Sequence, residues 1–432
     1  MNQLAQELNK ILEGTVIADL LSDYGKRFYF PKGIAAQSAE AKKHATVLNA
    51  TIGMAYLNGE PVEHTAVRKQ LPELVPDESV AYAPTGGDAA LRARWKQEIL
   101  RKNPDLSPER ISEPMVVPGL TSGISQLADL FADKGDPVVI PDMFWGNYRL
   151  IFEGRREAVI HSFPFFTPDL TLNVEGLQDS LRKNAKNGKV ILVINFPNNP
   201  TGYSPTKAEA ARIVEALRRL AEEGLKIVAI TDDAYFGLFY EKEIFPQSLF
   251  TPLSQAHENI LAVKVDGATK EDFVWGFRIG FVTFGGKGLS QEHYKAINNK
   301  LMGSLRASIS NSSRPAQSIL LKAMESKGYE EEKQHYFDSL TERYQAVKRI
   351  IAERKTGLSL KPLPFNSGYF MSFEFEGGNA EVLRQNLLFK KGIGTISIAD
   401  SYLRVAYSSI DMEDMERLYT EIFASADEIV VP

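Results

Sequence analysis

The sequence contains no cysteine among its 432 residues. That absence excludes disulfide bonds, thiolate catalysis and cysteine-ligated zinc. Histidine is scarce as well, with six residues and no pair at the spacing of metal ligands. We therefore expect no metal site and a chemistry that depends on other side chains.

Long runs of one charge sign or of apolar residues are also missing. The 50 Lys+Arg and 55 Asp+Glu residues are interspersed and give a net charge of −5, which does not indicate binding to nucleic acid or to a membrane surface. No apolar stretch approaches the roughly 20 residues of a membrane span, and Glu7 and Lys10 fall where a secretory signal is apolar. We expect a cytoplasmic protein with small-molecule partners.

The middle of the sequence alternates helical and strand patterns. Four short runs rich in Val and Ile predict strands buried on both faces. Between the second and third runs, Thr206 and Glu209 have capping-box spacing, and Gly224 ends the apolar helical pattern. This order of elements predicts an α/β fold with a mainly parallel sheet. The predicted strands are Pro137–Met143, Lys189–Pro197, Lys226–Asp233 and Ile260–Asp266.

The two ends of the chain have a different pattern. A long charged helical segment at Tyr329–Lys355 precedes a strand-like run at Tyr369–Phe375. We predict a large domain, residues 46–315, whose central sheet is flanked by helices. Residues 1–45 and 316–432 are predicted to form a smaller α+β domain together.

Polar residues follow the predicted strands, where ligands bind in open parallel sheets. The second strand leads into Asn199-Pro-Thr-Gly202, the third into Asp232-Asp-Ala-Tyr235, and the fourth into Gly267-Ala-Thr-Lys270. Arg278 and Gly280 follow Lys270 at fixed spacing. A lysine amine beside an acid and a phenol suggests Schiff-base chemistry.

This set of motifs resembles the fold-type I pyridoxal 5′-phosphate (PLP) enzymes, specifically class I/II aminotransferases such as aspartate aminotransferase. The motifs match in order from Tyr82 to Arg404, and the combination is more specific than any one motif. The resemblance implies PLP as cofactor and a ping-pong exchange of an amino group between an amino acid and a 2-oxo acid. It also implies a homodimer with a shared active site.

Three residues are implied to contact the cofactor ring. Asn199 corresponds to the asparagine that bonds the ring hydroxyl oxygen, although the Asn-Pro-Thr-Gly sequence is also an ordinary turn. Asp232 corresponds to the carboxylate on the pyridine nitrogen, and Tyr235 to the phenol on the ring oxygen. Asp233 is the alternative carboxylate, but the spacing to Tyr235 favours Asp232.

Lys270 is implied to hold the cofactor covalently and to move the proton at the substrate Cα. Arg278, eight residues later, corresponds to the arginine on the cofactor phosphate. The family usually has a serine three residues before the lysine, where this chain has Gly267. Thr269 is the hydroxyl that remains nearby, so it is the candidate phosphate ligand.

Ser122, Gly123 and Ile124 are predicted to start a helix whose free N–H groups and dipole suit the phosphate. The same Ser-Gly sequence is also a plausible plain helix cap. Trp145 in Met143-Phe-Trp-Gly-Asn-Tyr148 resembles the family tryptophan that stacks on the cofactor ring, although an aromatic residue there can also be core.

The remaining predicted residues concern the substrate and the partner chain. Tyr82 resembles the tyrosine that reaches the phosphate in the neighbouring subunit, and Arg404 the arginine that binds the substrate α-carboxylate. Gly53 is also predicted to contact the substrate. Arg306, in Arg306-Ala-Ser-Ile-Ser-Asn, resembles the arginine of the neighbouring subunit that pairs with the side-chain carboxylate of glutamate or aspartate, with Arg314 nearby as an alternative.

Three other functions stay open on the sequence. A lyase or decarboxylase of the same fold uses the same lysine and aspartate. A ligand-sensing regulator needs a DNA-binding domain, but the start of this chain is neither basic nor helix-turn-helix-like. A dehydrogenase needs Gly-x-Gly-x-x-Gly after a strand, and Gly392-Ile-Gly394 lacks the third glycine.

Overall fold

The computed structural model describes residues 1–12, 34–51, 53–62, 64–70 and 73–429. Their helices are α1 Gln3–Leu12, α2 Ile34–His44, α3 Thr65–Lys69, α4 Pro76–Ser79, α5 Ala89–Lys102, α6 Leu120–Phe131, α7 Val174–Asn184, α8 Lys207–Glu222, α9 Phe250–Ala256, α10 Ala268–Glu271, α11 Gln291–Ser308, α12 Arg314–Met324, α13 Tyr329–Glu353, α14 Ala380–Lys391 and α15 Met412–Ile429.

The strands belong to a large central sheet and to smaller sheets at the two chain ends. They are β1 Leu48–Asn49, β2 Tyr56–Leu57, β3 Glu60–Pro61, β4 Met115–Val117, β5 Pro137–Pro141, β6 Val159–Phe163, β7 Lys189–Asn195, β8 Lys226–Asp232, β9 Ile260–Asp266, β10 Gly280–Gly285, β11 Leu360–Pro362, β12 Met371–Phe375, β13 Ile393–Gly394, β14 Ile396–Ile398 and β15 Tyr402–Val405.

The central sheet has seven strands in the order β4-β10-β9-β8-β7-β5-β6. β10 runs antiparallel to both of its neighbours, and the strand pairs from β9 to β6 are parallel. Successive residues face different cores: Ala262 packs with α5, α8 and α9, whereas Val263 and Val265 pack with α6 and α11. Helices therefore cover both faces, and the predicted α/β fold class is confirmed.

Three of the four predicted strands are shorter than expected. β9 has its predicted bounds, but β5, β7 and β8 end one or two residues early. Their last predicted residues, such as Asp233, leave the ladder to begin the loops that follow the sheet. The apolar pattern alone did not mark this point, because residues such as Phe196 and Pro197 extend it into the loop.

The smaller sheet is antiparallel, in the order β11-β12-β15-β14. The start of the chain joins it, since β1 pairs in parallel with β13. Gln37 of α2 exchanges hydrogen bonds with the backbone of Ser397, and Arg384 Nη1 of α14 lies 2.7 Å from Glu40 Oε2. Residues from the two ends of the sequence therefore build one unit.

Helix α13 connects this unit to the central sheet. At its N-terminal end, Tyr329 Oη donates to Asp272 Oδ1 at 2.5 Å, beside the loop that follows β9. Further along, Tyr344 and Val347 lie in the core of the smaller sheet. The domain boundaries predicted at residues 45 and 315 stay predictions, and α12, which spans the second, packs against α5.

In the described part of the chain, no helix is long and apolar enough to cross a bilayer. The same residues contain no group of three or more His, Asp or Glu side chains that could hold a metal ion.

Removing the cap of α8 tests the predicted helix signal. Thr206 Oγ1 accepts from Glu209 N, and the Glu209 side chain accepts from Thr206 N. Thr206→Ala leaves an amide of the first turn without its acceptor, so we expect the free energy of unfolding to fall by about 1 kcal/mol. Denaturant unfolding followed by circular dichroism measures it. Thr206→Ser keeps the hydroxyl and should stay close to wild type; equal losses in both variants would contradict the capping role.

Candidate active site

The loops at the carboxyl ends of β7, β8 and β9 enclose a cleft with about 520 Å³ of empty space. The arrangement follows from the parallel topology, which brings these strand ends to one edge of the sheet. Its lining residues are Leu120, Thr121, Trp145, Asn195, Asn199, Asp232, Ala234, Tyr235, Thr269, Lys270 and Arg278.

Lys270 lies in the short helix α10, directly after β9. Its Nζ is 5.0 Å from the centre of the Tyr235 ring. Burial lowers the pKa of Lys270 to about 8, although the Asp232 carboxylate opposes that shift; the Arg278 cation lowers it further. The neutral, nucleophilic form of this amine is therefore far more populated near physiological pH than that of an ordinary lysine.

Asp232, at the end of β8, is the carboxylate in the cleft. Tyr148 Oη donates to its Oδ2 at 2.5 Å, and the amide of Ala234 donates to its Oδ1 at 3.2 Å. Burial raises the pKa of Asp232, while the Tyr148 hydrogen bond and the Lys270 charge act in the opposite direction.

Asp233 faces away from the cleft. Its carboxylate pairs with Lys264 and accepts from Ser248 Oγ at 2.6 Å, on the side of the sheet that α5 and α9 cover. Burial raises the pKa of Asp233 to about 6 despite the Lys264 charge. Of the two adjacent carboxylates, Asp232 lies among the other cleft residues.

Tyr235 and Asn199 lie on the side of the cleft nearest the smaller sheet. The Tyr235 ring packs edge-on against Tyr369 and Phe370, and burial raises its pKa. Asn199 Oδ1 accepts from Arg404 Nη1 at 2.9 Å. Gly53 is close to the same ring, since a Cβ there would lie 3.8 Å from Tyr235 Oη.

The helix at the cleft begins two residues earlier than predicted. Gly119 is the N-cap of α6, and Gly123 N already donates to Gly119 O at 3.2 Å. The Ile124 side chain is fully buried in the core, and the phosphate-binding role of Ser122, Gly123 and Ile124 stays a prediction. Leu120, Thr121 and Ser122 carry the first amides, which have no acceptor within the helix.

Arg278 lies against this helix start. Gly119 has φ +82°, and a Cβ there would be 2.4 Å from Arg278 Nη2, so glycine allows the close approach. The Arg278 guanidinium donates to Trp275 O at 3.3 Å. Among the described residues, no carboxylate lies within ion-pair distance of it. Two features that attract anions, a helix N-terminus and an unpaired guanidinium, therefore converge here.

The structure explains why glycine replaces the family serine at position 267. A Cβ at Gly267 would be 2.7 Å from Ile279 O and 2.9 Å from Gly280 Cα, so a side chain has no room. Thr269 is buried at the cleft, and its Oγ1 has no hydrogen-bond partner. This hydroxyl is available to a ligand.

Arg404, in β15, is 2% exposed. Its guanidinium donates to Asn199 Oδ1 and to Thr51 O at 3.1 Å, and its Nε has no partner. In the described part of the chain no carboxylate pairs with it, and burial lowers its pKa to about 10. A buried cation without a counter-ion is costly, and a bound carboxylate would relieve that cost.

The roles predicted for Tyr82, Arg306 and Trp145 involve a partner chain or a bound cofactor. Tyr82 is 91% exposed, and the Arg306 side chain is exposed and donates to Ser310 Oγ at 2.6 Å. Trp145 lines the cleft, and its ring meets Tyr148 edge-on with ring centres 5.5 Å apart. The partner-chain and stacking roles stay predictions.

Sequence reasoning missed several residues that shape the cleft. Tyr148 has no role predicted from the sequence, although it lies three residues, about one helical turn, after Trp145. Asn195 ends β7, donates to Asp232 O at 2.7 Å and accepts from Asn199 N at 2.8 Å. Its place at a strand end, before the Asn-Pro-Thr-Gly turn, is a usable signal.

Comparison with known proteins identifies the family. A family model for "Aminotransferase class I and II" matches residues 49–422. The chain belongs to this family. The aspartate/prephenate aminotransferase of Thermus thermophilus is 26% identical over 76% of this chain and 79% of its own length. The aspartate aminotransferase of Thermotoga maritima is 24% identical over 87% and 90%.

Solved structures agree on the fold. An aminotransferase from Anaerococcus prevotii, 24% identical, superposes with a TM-score of 0.84 over 94% of this chain and 99% of that one. A kynurenine aminotransferase from Pyrococcus horikoshii, solved in complex with PMP, gives a TM-score of 0.79 at 16% identity over 97% and 99%.

The predicted class of enzyme, an aminotransferase, and its cofactor, PLP, are therefore confirmed. The lyase, decarboxylase and ligand-sensing alternatives are not favoured. The cleft fits PLP, since it offers a lysine amine, a buried carboxylate, the unpartnered hydroxyl of Thr269 and the anion-attracting start of α6.

The pKa of Lys270 predicts how the cofactor-free protein reacts with aldehydes. Because the neutral amine is the reactive form, attachment of a small aldehyde, trapped with cyanoborohydride, should rise with pH to a plateau with a midpoint near 8 rather than 10.5. Asp232→Asn removes a charge that favours the ammonium form, so its midpoint should be lower.

Mass spectrometry of the Lys270 peptide measures the rate. Asp233→Asn is the matched control, because Asp233 pairs with Lys264 and not with the cleft. A wild-type midpoint near 10, or equal shifts in the two variants, would contradict the described electrostatics.

Proposed function

We propose that this aminotransferase holds PLP on Lys270 and uses glutamate or aspartate as its amino donor. The observation that carries the proposal is Arg404, a buried cation without a carboxylate partner among the described residues. Arginine binds a carboxylate through two parallel hydrogen bonds, so Arg404 suits the α-carboxylate that amino acids and 2-oxo acids share.

The bound cofactor supplies an electron-withdrawing ring that stabilises negative charge developing at the substrate Cα. The Lys270 amine would form the covalent link to the cofactor, and the freed amine would carry the proton at Cα. Asp232 would keep the ring nitrogen protonated. The first amides of α6, Arg278 and the Thr269 hydroxyl would hold the phosphate.

Tyr235 and Asn199 are proposed to bind the ring hydroxyl oxygen, with Trp145 on the face of the ring. Asn199 then has two partners. Its Oδ1 accepts from Arg404, and its side-chain amide nitrogen is left to donate to the ring oxygen. Arg404 is proposed to orient the substrate, since its own position is fixed by hydrogen bonds to Asn199 and Thr51.

The active site is proposed to be shared between two chains in a cytoplasmic homodimer. Support comes from the exposure of Tyr82 and Arg306, two residues with family roles in the neighbouring site that lie outside the cleft of their own chain. Arg306 is proposed to pair with the distal carboxylate of the substrate. Two relatives are named for aspartate, which is the same class of substrate.

Borohydride reduction of the cofactor-loaded enzyme tests the assignment of Lys270. We expect the label on the Lys270 peptide alone, because Lys270 lines the cleft and its amine has a lowered pKa of about 8. Lys270→Ala should retain PLP without the covalent link and lose turnover by several orders of magnitude. Peptide mapping by mass spectrometry decides it. Label on Lys264 or another lysine would overturn the proposal.

Arg306→Leu tests the dicarboxylate preference. Loss of this guanidinium leaves the distal carboxylate of the substrate unpaired. For glutamate and aspartate, the transition-state stabilisation calculated from kcat/KM should therefore fall by roughly 2–5 kcal/mol. Alanine should be nearly unaffected. Arg212→Leu, which removes an exposed arginine paired with Glu175, is the control. A selective loss in Arg314→Leu instead would transfer the role to Arg314.

Mixed dimers extend this experiment to the shared site. As homodimers, Lys270→Ala chains should be inactive, and Arg306→Leu chains should have strongly reduced activity towards glutamate. A mixed dimer has one site that combines Lys270 from one chain with Arg306 from the other, so glutamate activity should return. Absence of recovery in purified mixed dimers would contradict the sharing of sites.

A further inference from the structure

Asp232 is held by a buried tyrosine that the proposed function does not use. Tyr148 is 1% exposed, and its Oη donates to Asp232 Oδ2 at 2.5 Å. This distance is typical of a hydrogen bond to an ionised carboxylate, which is stronger than one between neutral groups. The contact lies at the wall of the cleft, since Asp232 is a lining residue.

The chain fixes Tyr148 before it meets Asp232. Tyr148 N donates to Trp145 O at 3.0 Å, and the π-helical turn Arg149–Arg155 follows at once. The Tyr148 ring stacks with Phe144 at a centre distance of 6.4 Å and meets Trp145 edge-on. One side chain therefore contacts two lining residues of the cleft, Trp145 and Asp232.

Tyr148 is the donor in this hydrogen bond, and Asp232 is the acceptor. Burial and the negative charge of Asp232 raise the pKa of Tyr148 well above its ordinary value, so the phenol keeps its proton. A phenol that stays protonated donates, and the carboxylate oxygen that receives it accepts. The contact therefore favours the ionised form of Asp232, against the burial that favours the neutral form.

We propose that Tyr148 is a positioning residue that keeps Asp232 ionised and oriented, so that the proton shared with the cofactor ring nitrogen stays on the nitrogen. The inference rests on the proposed role of Asp232. The two donors, Tyr148 and the Ala234 amide, occupy one lone pair on each carboxylate oxygen. The remaining lone pairs are left for the cleft.

Tyr148→Phe removes one oxygen and keeps the ring contacts with Phe144 and Trp145. Without the phenol, the proton affinity of Asp232 rises and the proton moves from the ring nitrogen towards the carboxylate. Tyr203→Phe is the matched control. It also removes a buried tyrosine hydroxyl that donates to a carboxylate, Glu209 Oε2 at 2.7 Å, but it lies outside the cleft.

The primary measurement is the ¹⁵N chemical shift of enzyme-bound PLP labelled at the ring nitrogen. Wild type and Tyr203→Phe should give the shift of a protonated ring, and Asp232→Asn that of an unprotonated ring. Tyr148→Phe should fall between them at neutral pH. Replacement of Tyr148 by 3-fluorotyrosine keeps the hydroxyl with a stronger donor, so its signal should stay at the wild-type position.

A second measurement needs no cofactor. In the cofactor-free protein, the infrared band of the protonated carboxyl group that disappears in Asp232→Asn gives the pH at which Asp232 takes up its proton. Tyr148→Phe should raise that pH, and Tyr203→Phe should not. In turnover, Tyr148→Phe should lower kcat roughly 10- to 100-fold, the value of a hydrogen bond to a charged group, with KM for glutamate within about twofold.

The outcomes separate two failures. If Asp232→Asn leaves the ¹⁵N shift at the wild-type value, the proposed role of Asp232 fails and the role of Tyr148 fails with it. If Asp232→Asn moves the shift but Tyr148→Phe does not, Asp232 has its proposed role and Tyr148 only fills space. Equal effects of Tyr148→Phe and Tyr203→Phe would also overturn the inference, because they would reflect a general loss of packing.

Discussion

The carboxylate of Asp232 is buried in a cleft that also encloses the Lys270 amine, and the charge of each group shifts the pKa of the other. Burial alone makes both groups neutral, since it raises the pKa of the acid and lowers that of the amine. The attraction between them and the Tyr148 hydrogen bond limit this loss of charge. The site thus combines an acid whose ionised form is supported by Tyr148 and Lys270 with an amine whose pKa is lowered to about 8.

Glycines let charged groups come closer than side chains would permit. Gly119 admits the Arg278 guanidinium to the start of α6, and Gly267 admits the backbone of Ile279 and Gly280 to the loop before Lys270. In both places the missing Cβ brings a ligand-binding element against its neighbour. The position that holds a serine in many relatives of this fold is therefore a packing position here, and the hydroxyl is found two residues later, at Thr269.

The fold class, and the meeting of Lys270, Asp232 and Asn199 in one cleft, could be predicted because parallel strands end at one edge of a sheet and motif spacing is local. Contacts between distant segments could not be predicted in this way. The partner of Tyr148 lies 84 positions further along the chain, so no spacing rule marks it. The start of α6 was misplaced because Gly119 caps it through φ +82° and not through a polar side chain, which is the usual signal.

The pairing of the two chain ends has a consequence for how the protein is made. Gln37 and Ser397, which bond to each other, are 360 positions apart, and β1 meets its partner only at β13. During synthesis the segment with Gln37 and β1 emerges early, but β13 and Ser397, which it contacts, are translated much later. This segment therefore stays without these contacts until the whole central sheet has been translated. The unit that carries Arg404 is therefore completed only after the central sheet that carries Asp232 and Lys270 has been translated.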